Sequence, residues 1–120
     1  MEPSQHRAYQ IGFQLGTIAW EIVKRWDVPT RISIGNQLTR AADSLSSNIV
    51  EGWKRYHKKD KILFMIYARA SFEEALEWMR KARSRNLISE EEYSVIQNLT
   101  TDFPREINGL IKGIKQNLKY

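Results

Sequence analysis

Between Trp53 and Lys61 the chain reads WKRYHKKDK, which places five formal cations, Lys54, Arg55, Lys58, Lys59 and Lys61, within eight positions. His57 sits among them, and Trp53 and Tyr56 are interleaved. Ammonium and guanidinium groups bind phosphate oxygens, and an aromatic face stacks on an unpaired base, so these residue types at this spacing suit a nucleic-acid contact. A solvated turn at the end of a helix bundle has the same composition, and both readings stand. Cations at the start of a helix oppose its dipole, so local helix stability does not explain them. A second basic cluster, Arg80, Lys81, Arg83 and Arg85, lies about 37 Å further along the same expected helix. The two clusters mark opposite ends of one subunit, and only assembly of several copies would gather like clusters around one rim.

Arg40, Asn48, Glu51 and Gly52 precede the basic run, and Arg69 and Glu74 follow it. Buried charges need partners, and such pairs set helix register more than they add stability. The favoured reading is a semi-buried polar network holding the second helix on the third, with Gly52 permitting close approach or the bend into the basic turn. In the alternative, Asn48 and Glu51 contact a ligand or partner.

Other chemistry finds little support. A carboxylate–imidazole metal site in a bundle needs Glu-x-x-His pairs, but the two histidines, His6 and His57, follow no such glutamate. There is no cysteine for thiolate ligands or nucleophilic catalysis, no nucleophile elbow around a serine, and the six glycines form no phosphate loop. The expectation is no catalytic residue, no metal and no cofactor.

Four helices must position these groups, at about 7–26, 32–55, 58–86 and 89–118. In the first, Ile11, Leu15, Ile18, Ile22 and Trp26 recur at steps of four and three, while Tyr9, Phe13 and Trp20 make a second stripe. A helix apolar on two sides has one side to spare for another subunit. Gly12 and Gly16 point to close helix packing. Pro29 ends this helix. In the second, Leu38, Ala42, Leu45, Ile49, Gly52 and Tyr56 share one face, and the small Ala41, Ala42, Ser44 and Ser47 make it central, with Gly35 near its frayed start. The third carries a seam of Met65, Ala68, Phe72, Ala75, Met79 and Ala82, with Phe64, Tyr67 and Trp78 adjacent; Glu73, Glu74 and Glu77 form a solvated face. Ser89 and Glu92 form a capping box at the fourth, flanked by an Ile88–Tyr93 staple. Its seam runs through Ile96, Leu99, Phe103, Ile107, Leu110, Ile114 and Leu118, with a kink or an Asp102-capped restart at Pro104, and Lys112, Lys115 and Lys119 close it. Short connections make this an up-down-up-down antiparallel bundle, one domain over 1–120.

At 120 residues the chain can bury a core without disulfides or metals. Its charge of +5 favours acidic partners, nucleic acid first. A polar N-terminus and the lack of a long apolar run predict a cytoplasmic protein with no membrane partner.

The stretch QLTRAADSLSSNIVEGWKRYHKKD resembles the signature of the 23S rRNA intervening-sequence protein family, also described as four helix bundle proteins. Arg40, Ala41, Ala42, Ser44, Ser47, Asn48, Ile49, Glu51 and Gly52 fit it, as do Lys58, Lys59, Asp60, Ala68, Arg69, Ser71 and Glu74; Ser46, Trp53 and Ala70 depart from it. The resemblance implies a four-helix bundle assembling as a homo-oligomer, a pentameric ring. The functional expectation, drawn from the residues themselves, is non-enzymatic nucleic-acid association, RNA or structured DNA, with phosphate contact by Lys54, Arg55, Lys58, Lys59 and Lys61 beside Trp53 and Tyr56. The alternative is a protein–protein adaptor, since related bundle proteins are accessory subunits of reverse transcriptases.

Overall fold

The first helix begins where His6 leaves helical geometry and turns its Nδ1 back to accept the Ala8 amide proton at 3.0 Å. A ring nitrogen thus does the work usually given to an N-cap hydroxyl. This helix, α1, spans Arg7–Val23 in a computed structural model that describes residues 2–116. It stops short of Trp26, which was expected within it. Trp26 instead lies in the following turn, where its indole Nε1 donates to the Leu87 carbonyl at 3.0 Å.

The second rod, α2, starts earlier than Ile32. Asp27 caps it, accepting from the Thr30 amide at 2.9 Å, and the hydrogen bonding from Thr30 holds the Asp27 carboxyl below its usual range. Pro29 falls in the first turn, where a missing N–H costs nothing. The rod then runs without a break through Val28–Thr30, a π-helical stretch Arg31–Gly35, and the regular helix Asn36–Lys54. The wide stretch is supported by the Ser33 hydroxyl, which donates to the Pro29 carbonyl at 3.0 Å.

Helix α3, Lys58–Ser84, ends in a Schellman turn. Asn86 takes φ 58°, and the Leu87 and Asn86 amides donate back to Ala82 and Arg83 carbonyls at 2.8 and 3.1 Å. The expected capping box opens α4, Glu90–Thr100: Ser89 N–H donates to Glu92 Oε1 at 2.9 Å, and Glu92 N–H to Ser89 Oγ at 3.1 Å. Pro104 breaks this rod as anticipated, and α5, Phe103–Gln116, restarts it. The hydroxyls of Thr100 and Thr101 turn back onto Ile96 and Gln97 carbonyls at 2.8 and 2.7 Å, serving acceptors at the interruption. Leu118 and Lys119 lie outside the described residues.

The described chain is all-helical, four rods packed in an up-down arrangement within a body about 50 Å long. Helix α2 packs most extensively against α3 and then α1; α4 and α5 close the other side against α1 and α3. Ile11, Leu15, Leu38, Leu45, Ile49, Met65, Met79, Ile96, Phe103 and Ile107 are fully buried between them. Phe72 and Phe103 meet with centroids 4.4 Å apart.

Small residues bring the rods together. A Cβ on Gly12 would lie 2.4 Å from Leu45 Cδ2 and 3.3 Å from the Ser46 amide nitrogen. One on Gly52 would lie 2.7 Å from Phe64 Cβ and 3.1 Å from the Lys61 carbonyl oxygen. Backbone and Cβ atoms cannot swing aside, so Gly52→Ala should lose about 1–3 kcal/mol by overpacking. Gly109 in α5 has open space around it, and Gly109→Ala should gain about 1 kcal/mol from helix propensity. Urea unfolding of the two variants measures both, and opposite signs are expected.

Candidate nucleic-acid interface

The basic run occupies the end of the bundle where α2 finishes, α3 begins and α5 finishes. Two helix C-termini, with their unsatisfied carbonyls and negative dipole ends, therefore face the cations that open α3. Lys61 Nζ donates to the Trp53 carbonyl in the last turn of α2 at 2.9 Å. Lys58 Nζ donates to the Lys115 carbonyl in the last turn of α5 at 3.2 Å. These lysines oppose the dipole of their own helix but stabilise the ends of two antiparallel neighbours. Their structural role is thus toward the neighbouring helices and not toward the helix that carries them.

Arg55 is also engaged within the chain. Its guanidinium pairs with Glu51 at 3.0 Å and lies 4.6 Å over the Phe64 ring. Trp53 is half-buried against the core. Lys54 and Lys59 remain exposed, with no ion pair to a described residue. Beside them Tyr56 is 61% exposed, edge-on to the His57 ring at 5.1 Å. Lys54 and Lys59 thus differ from Lys58, Lys61 and Arg55 in being exposed and outside these helix-end and ring contacts.

The polar motif does not form one network. Asn48 Nδ2 reaches Ser71 Oγ at 3.4 Å, and Ser44 Oγ donates to the same hydroxyl at 2.7 Å, so a Ser–Ser–Asn bridge joins α2 to α3. Glu51 turns to Arg55, and Arg69 donates to Asn108 Oδ1 on α5 at 2.9 Å. Arg40 and Glu74 flank a polar hollow of about 330 Å³ with Gln37 and Ser44. Of the expected network only Asn48 takes part in this bridge; its other members are Ser44 and Ser71. Their place on facing helices was the signal for it.

The family model described as 23S rRNA-intervening sequence protein matches residues 4–109, nearly the whole chain. The chain belongs to that family. No curated protein matches it.

In this member of the intervening-sequence family two of the four cations in the second basic cluster, Arg80 and Arg83, are paired with carboxylates. Arg83 makes a two-pronged contact with Glu90 at 2.9 and 2.8 Å and lies 4.5 Å over Tyr93. Arg80 pairs with Glu77 at 3.3 Å, and Lys81 sits 4.4 Å over Trp78. Arg25 pairs with Glu92. Among the described residues no cluster of three or more His, Asp or Glu could hold a metal ion, and no helix is long and apolar enough to cross a membrane.

Sequence reasoning passed over Asp43. Its Oδ1 lies 2.7 Å from where a Cβ on Gly16 would stand, in a groove of about 480 Å³ bordered by Phe13, Thr17, Trp20, Ser46 and Ser47. An acid set directly among the small residues Ala41, Ala42, Ser44, Ser46 and Ser47 was the available signal. Higher on the same side, Trp20, Val28, Arg31, Ile32 and Asn36 line a hollow of about 350 Å³ beside the π-helical stretch.

The carboxylates at the α3–α4 junction make the fold acid-sensitive. Hydrogen bonding from Arg83 holds Glu90 below the usual carboxylate range; the Ser89 amide, and then Arg25, hold Glu92 there. A carboxyl with a depressed folded pKa stabilises fully above its unfolded pKa, and that stability is lost as pH falls through the folded value. Melting temperature should therefore drop below about pH 4.5. Glu92→Gln, which keeps the capping geometry but not the charge, should melt lower at pH 7 and show a shallower acid decline. Thermal melts followed by circular dichroism from pH 7 to pH 3 read both.

Proposed function

We propose that the protein is a non-enzymatic, cytoplasmic homo-oligomer that binds nucleic acid, RNA or structured DNA, through its basic end. The observation that carries this reading is the pair Lys54 and Lys59, exposed and without ion pairs to described residues, flanking the exposed Tyr56. Two point charges beside one exposed tyrosine match a backbone phosphate and an unstacked base, which favours loops and single strands over duplex. Lys58, Lys61 and Arg55 add to the local potential while they tie the helix ends together.

Two separate apolar patches support self-assembly. Leu63, Ile66 and Tyr67 are exposed on α3, and Val28 and Ile32 at the start of α2. Distinct patches of this kind suit a head-to-tail ring, and the family resemblance makes that ring a pentamer. A ring would repeat Lys54, Tyr56 and Lys59 around one rim, so that several weak contacts act together. A protein adaptor is the second reading, favoured by the apolar hollow between Trp20 and Ile32.

Lys54→Gln combined with Lys59→Gln should leave the melting temperature unchanged, because neither lysine supports the fold. Binding to single-stranded RNA should weaken, and the slope of log K against log salt should fall by about 1.4 for each copy engaged. Fluorescence anisotropy across a salt series, with light scattering to establish mass, makes the measurement. An unchanged slope and affinity would remove the basic end from the function.

A further inference from the structure

We propose that the groove formed by Phe13, Trp20 and Asp43 receives an arginine or lysine side chain of a protein partner. Phe13 and Trp20 stand on one face of α1, seven residues apart, 59% and 63% exposed. That spacing is about 10.5 Å along the axis, so a cation midway sits about 5 Å from both rings, within cation–π range. Gly16 forms the floor between them, and Asp43 of α2 lays its carboxylate across that floor.

The Asp43 carboxylate has no hydrogen bond or ion pair with any described residue, and partial desolvation against α1 raises its pKa. Thr17 offers no counter-charge; its hydroxyl donates to the Phe13 carbonyl at 3.1 Å. Elsewhere this chain completes the same combination internally. Arg55 joins Phe64 and Glu51, and Arg83 joins Tyr93 and Glu90, each cation lying over a ring while paired to a carboxylate. The groove holds the rings and the carboxylate and lacks the cation.

Charge complementarity selects the occupant. A carboxylate between two apolar rings repels phosphates, and it gives a purely apolar segment nothing to neutralise it. A guanidinium or ammonium on an otherwise apolar segment satisfies both parts of the site. The groove is built from α1 and the middle of α2, away from the basic end, and its role does not depend on nucleic-acid binding there.

The probe is a fluorescent pentapeptide with one arginine between two leucines, compared with its twin carrying neutral citrulline. Binding is followed by anisotropy and by the NMR shift of the Trp20 indole N–H. The arginine peptide should bind about tenfold tighter than its twin and move the Trp20 signal. Asp43→Asn should erase that difference. Gly16→Ala should erase it too, since a methyl there displaces only the Asp43 carboxylate end while helix propensity gains, so the melting temperature should not fall. Equal binding of the two peptides, or an unaltered preference in both variants, overturns the proposal. If the preference is absent but Asp43→Asn lowers the mass seen by light scattering, the groove holds a second copy of the chain and the proposal is likewise overturned.

Discussion

Helix α2 is held between α1 and α3 at separations that leave no room for a methyl group at Gly12 or Gly52. Much else follows from this closeness. Leu45 and Ile49 reach full burial beneath neighbouring backbones, and the Ser44 and Ser71 hydroxyls come within hydrogen-bonding distance across the seam. Dispersion contacts fall away steeply with distance, so a rod drawn in at its glycines gains along its whole length.

The two ends of the bundle solve a common problem differently. Antiparallel packing sets the start of each helix beside the finish of another, so carbonyls lacking partners lie near amides lacking partners. At the end with α4's capping box, glutamates pair with Arg25, Arg80 and Arg83. At the other end, lysines from the start of α3 serve carbonyls at the close of α2 and α5, a use of cation at helix C-termini that works only between rods. Two lysines there are spared this duty, and that separation of roles distinguishes scaffold from surface.

How much of this could be read from residue order varied with the range of the interaction. The seam of Leu38, Ala42, Leu45, Ile49 and Gly52 is buried as its spacing required, because periodicity is local and burial answers to it; Tyr56, expected to continue that face, falls beyond the helix end at Lys54 and is exposed. The capping box at Ser89 and the break at Pro104 were equally legible, each being a property of four or five consecutive residues. Partners across the bundle were not. Lys58 meets Lys115 57 residues away, and Arg69 meets Asn108 39 away. Such pairings depend on the relative heights of rods, which no single helix encodes. Trp26 illustrates the limit: its phase matched the seam of α1, yet the helix stopped first and its indole closed a different loop. The groove at Asp43 escaped notice because α1 and α2 each contribute only part of it.

The wide turn at Arg31–Gly35 accommodates a surplus residue relative to an ordinary helix. One residue corresponds to about 100° of rotation about the axis. Val28 and its neighbours are therefore aimed well away from where an unbroken α-helix ending at Lys54 would have aimed them. The hollow beside Trp20 owes its shape to that offset. Lineages that gained or lost a single residue here would keep the rest of the rod in place and swivel only its first turn, so the outer wall of this hollow can change without disturbing the core.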